Sequence, residues 1–287
     1  MALDQVDVDG PEKKPGDEMS FWEHLEELRS RLIKAILAIT VGVVAVFASG
    51  DWVFEKIIYA PRNPGFVTYQ MMNWLSVKLN MPSLAMKPIP VKMIAIEMGE
   101  PFFKQTQVAI ILGLVIASPY VFWQLWQFIK PGLKVKEAKA ASGFVGICSG
   151  LFLFGVLFGY FIIAPFAISF LSSYTIGGVG GENVTLNSYI GYMTMFTLPI
   201  GLVFELPIII YLLARLGVVS ADFLKKYRRQ MIVILLIVAG VITPGPDVVS
   251  QLLVFVPLYS LYEIGILVAK RVHKQKQLET AIENPIS

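Results

Sequence analysis

Apolar positions in this chain come in long unbroken runs separated by short polar stretches. Six runs approach the length of a bilayer crossing: about 32–50, 105–129, 140–171, 188–214, 230–242 and 248–269. The period-two alternation of a membrane barrel is absent, so the runs are read as helices. The third continues into an uncharged stretch over residues 140–181, enough to tilt or to project beyond the lipid. The fifth is short, about 20 Å of helix, and implies local thinning of the bilayer or a sheltered position inside the bundle. The chain therefore reads as an all-α, polytopic membrane protein with six transmembrane helices.

Composition agrees. Of 287 residues, 55% are hydrophobic and only 16% charged, against about a quarter charged in ordinary water-soluble domains. Cys148 is the single cysteine, which excludes an intramolecular disulfide.

The net charge of +3 matters less than where the basic residues fall. Lys13, Lys14, Arg29, Arg31 and Lys34 precede the first span. Lys130, Lys134, Lys136 and Lys139 follow the second, Arg215, Lys225, Lys226, Arg228 and Arg229 the fourth, and Lys270, Arg271, Lys274 and Lys276 the sixth. The short opposite loops, 172–187 and 243–247, carry no Lys or Arg. The positive-inside rule then places both termini in the cytoplasm. A cleaved signal peptide ending at Ala48-Ser49-Gly50 is disfavoured by the long, mixed-charge segment ahead of the run. The expected organisation is a disordered cytoplasmic tail over 1–19, a membrane domain over 20–270 and a cytoplasmic tail over 271–287.

Few residues carry candidate chemistry. In SFWEHLEELRSR, Ser20 and Glu23 form a capping box that starts a helix at Phe21. Glu27 with Arg31, and Glu26 with Arg29, have intrahelical ion-pair spacing. That segment reads either as a solvated helix or as an acidic patch awaiting a cationic partner. The aromatic end of the second span, with Trp123, Trp126 and Phe128, is stopped by Pro131-Gly132. Glu137 follows, alone among lysines, as a charge-balanced surface residue or as half of a receptor site. Glu205, in FELP near the middle of the fourth span, costs on the order of 3 kcal/mol to insert and is either satisfied by burial or a functional polar site. Gln251 is placed for an interhelical hydrogen bond, and Glu263 lies nearer the cytoplasm. Two small-xxx-small patterns, Gly146/Gly150 and Gly155/Gly159, fit close helix packing. Prolines within the spans imply kinks whose freed carbonyls find other partners. There is no nucleotide-binding loop, no HExxH and no cluster of metal ligands, so neither an enzyme nor a bound cofactor is expected.

Together HLEELRSR, PFF (101–103), SPYVFWQLWQFIKPGLKVKE, FELP, TPGPDVVSQ and YEIG, in that order, resemble the TatC family of twin-arginine translocase subunits. The resemblance implies a glove-like, concave six-span receptor in a bacterial-type inner membrane. Its partners would be twin-arginine signal peptides of folded cargo, TatA- and TatB-type single-span subunits, further copies of itself and membrane lipid, with no nucleic acid; export would draw on the proton motive force. By motif, Glu27 and Glu137 would receive the arginine pair, with Phe128 and Arg29 nearby. Glu205 and Gln251 would be intramembrane polar contacts, and Pro101, Phe103 and Asp247 outer-loop elements. Relative to the family the outer loop is long, and FVTYQMMNWLSVKLN reads as an added amphipathic helix. The competing reading is a six-span ion-coupled solute transporter with Glu205 as coupling site, which has no need of the cytoplasmic acids.

Overall fold

One unbroken helix, α1 (Phe21–Ala48), carries the polar EHLEELRSR segment straight into the first apolar run. Glu23 in its first turn complements the positive end of the helix dipole. The structure, a computed structural model, describes residues 21–82, 85–86, 93–130, 143–176, 184–243 and 248–283. Ser20, the expected cap, lies outside them.

Beyond α1 the chain forms the short α2 (Gly50–Val53), a π-turn (Phe54–Ile58) and a 3-10 turn (Ala60–Arg62). The outer helix expected from FVTYQMMNWLSVKLN follows as α3 (Val67–Leu79), ended by Asn80 in the left-handed conformation (φ 52°). Strand β1 (Met93–Ile94) leads into α4 (Glu100–Ile129). Next come α5 (Phe144–Phe158), a π-turn (Gly159–Ile163) and α6 (Ala164–Ser173). Strand β2 (Val184–Thr185) opens α7 (Leu186–Val203), which breaks and resumes as α8 (Leu206–Arg215). The chain closes with α9 (Ala221–Lys226), α10 (Arg228–Ile242) and α11 (Val248–Glu283).

Five of these units are long and apolar enough to cross a membrane: Trp22–Ala48, Glu100–Ile129, Phe144–Ser173, Leu186–Arg215 and Gln251–Leu278. The sixth, α10, has only 15 residues, about 22 Å of helix, and packs along α11, as its short apolar run led one to expect. The last span outruns its apolar sequence: α11 continues past Lys270 to Glu283, so the segment expected to be a tail begins as helix.

Glycines set the closest helix contacts. A Cβ on Gly113 would meet the Val43 backbone nitrogen at 2.6 Å, and one on Gly42 the Gly113 carbonyl at 2.9 Å, so α1 and α4 cross backbone to backbone. Gly155 and Gly159 do the same against α7, where a Cβ would meet the Gly201 Cα at 2.9 Å and the Phe196 carbonyl at 2.6 Å. Gly146 and Gly150 face open space, so only the second of the two expected patterns is used.

Prolines explain the breaks. A proline ring obstructs the carbonyl four residues earlier and offers no N–H to it. Pro61 thus frees the Ile57 carbonyl, which accepts the Tyr160 hydroxyl at 2.6 Å; its neighbour Ile58 accepts that of Tyr189 at 2.7 Å. Pro165 frees the Phe161 carbonyl inside the second π-turn, and Thr68 of α3 donates to it. Pro119 frees Val115, which accepts from Ser118 at 2.8 Å. Pro207 frees Val203, where α7 stops.

Contacts between distant segments sort the helix ends into two groups. Met93–Ile94 pairs in parallel with Val184–Thr185, and Gln105 donates to the Phe47 carbonyl at 3.0 Å; these gather the C-terminal end of α1 with the N-terminal ends of α4 and α7. At the other end Arg31 meets Gln124, Trp126 stacks on Phe144, Arg215 meets Gln275, and Arg228 meets Glu263. The described basic residues at the start of the first span, after the fourth and after the sixth all sit at this second end, in the alternation that the charge pattern requires.

Candidate functional site

At the basic end, α1 and the end of α4 build a small polar and aromatic surface. Glu27 and Arg31, one turn apart, pair at 3.2 Å with side chains 18% and 25% exposed. Arg31 also donates to the Oε1 of Gln124, at 3.3 Å. Gln124 is 2% exposed and lies in an apolar span, where an amide needs a partner. The pair is thereby clamped to α4. The second Glu27 oxygen, Oε2, is buried and has no hydrogen-bond partner among the described residues. Beside it the His24 ring stacks on Phe128, centroids 4.3 Å apart and planes 19° from parallel.

The geometry thus brings His24, one turn before Glu27, onto Phe128 across two helices. Arg29 is exposed and does not pair with the equally exposed Glu26, contrary to the spacing. Glu137 lies outside the described residues. Sequence reasoning singled out neither His24 nor Gln124 for this site. A buried amide among aromatics was the available signal for Gln124, whereas the stack of His24 joins residues 104 positions apart and has no local signature.

Glu205 caps α8 in the break made by Pro207, and its backbone carbonyl accepts from the Ile208 and Ile209 amides. Its side chain is 7% exposed and turns toward α5, against the Cys148 thiol and the Phe152 amide. Oε1 has no partner among the described residues, and nor does the buried hydroxyl of Ser149 next to Cys148. Gln251 forms the expected interhelical bond within this chain: it donates to the Leu236 carbonyl of α10 at 2.9 Å.

The outer end is organised by a residue that motif reading passed over. Glu100, 7% exposed, accepts from three backbone amides: Ile96 at 2.8 Å, Glu97 at 3.2 Å and Asn187 at 2.7 Å. It fixes the loop before α4 to the first turn of α7. Pro101 and Phe103 follow it on the exposed side, and Phe102 and Phe103 are 59% and 68% exposed. Asp247 lies outside the described residues.

Five helical units long and apolar enough to cross a membrane, with two dissimilar ends, define a multi-pass helical membrane protein. The family model of the Sec-independent protein translocase protein (TatC) matches residues 23–257. A Sec-independent protein translocase protein TatC of Carboxydothermus hydrogenoformans is 35% identical over 259 residues, covering 90% of this chain and 95% of that protein. TatCy of Bacillus subtilis is 32% identical over 271 residues, covering 94% and 96%. A crystal structure of a twin arginine translocase receptor TatC in DDM superposes with a TM-score of 0.65 at 32% identity, covering 86% of this chain and 99% of that one. The chain belongs to the TatC family. It is a membrane subunit of the Sec-independent translocase, and not an enzyme.

Proposed function

We infer that this subunit is the receptor for twin-arginine signal peptides, with its basic end and both termini in the cytoplasm of a bacterial inner membrane. The observation that carries the reading is Glu27: an acid fixed on α1, half engaged by Arg31, whose second oxygen is buried without a partner among the described residues. A carboxylate so placed accepts a charge-assisted guanidinium bond, and lysine reproduces that geometry poorly. Glu137, which follows α4 in the sequence, supplies the second acid, and Phe128 gives the peptide an aromatic wall. Arg29, exposed beside the pair, steers the chain that follows the arginines.

Glu205 and Gln251 serve contacts with single-span TatA- and TatB-type partners, and Pro101, Phe103 and Asp247 serve the outer face. Cargo crosses folded, driven by the proton motive force. Residues 1–19 act as a tail, 20–270 as the membrane domain and 271–287 as a cytoplasmic extension. Family membership disfavours the solute-transporter reading.

The test is crosslinking of the purified protein to signal peptides bearing RR or KK, in wild type, Glu27→Gln and Glu137→Gln. Strong crosslinking of RR alone, lost in either variant, is expected; equal crosslinking of the two peptides rejects the assignment. Orientation is tested separately with cysteines at Thr185 and Thr280 in a chain lacking Cys148. They should label from opposite sides of the membrane, and labelling from one side rejects the topology.

A further inference from the structure

Helix α3 is amphipathic in an inverted sense. Its buried face, Thr68, Tyr69, Met72 and Ser76, carries three hydroxyls, and each finds a carbonyl inside the protein: Thr68 that of Phe161, Tyr69 that of Pro61 at 2.7 Å and Ser76 that of Met81 at 2.9 Å. The opposite face presents Val67, Met71, Trp74 and Val77, all exposed, Trp74 by 60% and Val77 by 83%. Spaced three or four residues apart, they form one apolar stripe along about 20 Å of helix. Such a stripe is unfavourable in water and favourable where a membrane surface takes it up. Two further observations point to lipid. The first is depth: Phe66, at the start of α3, stacks on Phe161 of the third span with ring centroids 5.5 Å apart, beside the Thr68 bond. Phe161 lies about 25 Å of helix beyond Phe144 at the basic end, against a hydrocarbon core of about 30 Å, so α3 begins near the boundary between acyl chains and headgroups. The second is charge. Between Glu55 and Glu97 the sequence has Lys56, Arg62, Lys78, Lys87 and Lys92 and no acid, although this loop lies on the side where the other loops lack Lys and Arg. Lys78 is exposed on the same face as the stripe, its ammonium 4.5 Å from the Trp74 ring centroid. Tryptophan and lysine on one helix face suit the headgroup region.

We propose that α3 docks on the membrane surface at the outer end, with Val67, Met71, Trp74 and Val77 at the edge of the acyl chains and Lys78 against anionic phospholipid headgroups. The basic, acid-free loop complements a negative surface, and the inward hydroxyls leave the outward face free of groups that hydrocarbon would strand. The word outer rests on the orientation proposed above; the docking itself does not depend on the signal-peptide reading.

The test attaches an environment-sensitive nitrobenzoxadiazole dye to Val77→Cys in a full chain lacking Cys148, reconstituted in phosphatidylcholine vesicles or in vesicles of equal parts phosphatidylcholine and phosphatidylglycerol. In the mixed vesicles the emission should shift to the blue, and a nitroxide on the upper part of the acyl chain should quench it more than one near the terminal methyl. Both leaflets carry the nitroxide, so the readout is the same whichever way the chain inserts, and its failure is distinct from failure of the orientation or of the receptor reading. Each basic residue at an anionic surface contributes about a fivefold change, so Lys78→Gln should lower the ratio of docked to undocked helix by about that factor in the mixed vesicles and leave it unchanged in phosphatidylcholine alone. Trp74→Ser should lower it in both. The substituted side chains are exposed, so the fold is retained, which an unchanged melting temperature verifies. Water-like emission without lipid quenching, equal docking with and without phosphatidylglycerol, or an unchanged ratio in both variants would overturn the proposal. So would a blue shift that follows protein density instead of the lipid nitroxide, the sign of a second copy on this face.

Discussion

The two ends of this bundle spend their polar groups differently. At the outer end Glu100 is saturated by three amides, and the hydroxyls of Tyr69, Tyr160 and Tyr189 close on the carbonyls of Pro61, Ile57 and Ile58. At the basic end Glu27 has one ion pair and one oxygen without a partner among the described residues, and His24 and Phe128 form a partly open stack. Satisfied groups hold the helices in register, and unsatisfied ones are available to a ligand. The contrast predicts that the outer end carries stability and the basic end recognition.

The largest effect should come from Glu100→Ala. It orphans three backbone amides at once, and a bond to a charged group is worth about 1.5–3 kcal/mol, so a loss of about 3 kcal/mol or more is expected. Thermal unfolding in detergent measures it, and an unchanged melting temperature would dissolve the distinction between the ends. Tyr189→Phe should cost less, about 1–3 kcal/mol, by leaving the Ile58 carbonyl buried without its donor. The same melt reads it, and no loss would mean that water replaces the hydroxyl.

Much of this architecture was legible in the sequence because its causes are local. Run length gave the five long spans and the short helix α10, and the basic loops gave the alternation of ends. The outer helix α3 and the Glu27–Arg31 pair followed from helical periodicity. Partners across the fold were not legible. Any proline announces a freed carbonyl, but nothing near Pro165 names Thr68 as its donor, 93 residues away from Phe161. Glu100 ahead of Pro101 reads as an ordinary first-turn acid, and its tie to Asn187 exists only once β1 and β2 are paired. Likewise Gly146/Gly150 and Gly155/Gly159 look alike as patterns, and only α7 distinguishes them.

Glu205 lies between the two ends and sharpens the comparison. Its carboxyl meets the Cys148 thiol and the Phe152 amide, and Oε1 has no partner among the described residues. Glu205→Ala should leave thermal stability unchanged or raise it slightly, since a buried carboxyl is removed, while export of a folded reporter falls. Normal export would make it a tolerated buried acid, and loss of the protein from the membrane would make it structural. The smallest effect on stability should be that of Glu27→Gln. A partly exposed ion pair is worth about 0–1 kcal/mol, so the melt should barely move.

That same substitution gives the most direct measurement of the central claim, the affinity of RR and KK signal peptides for the purified wild type and for Glu27→Gln, read by fluorescence anisotropy. Loss of a charge-assisted bond of about 1.5–3 kcal/mol corresponds to roughly a tenfold to hundredfold change. The account predicts that wild type prefers RR by at least about tenfold and that Glu27→Gln loses most of this preference with its fold intact. A preference for RR that survives Glu27→Gln undiminished would contradict it.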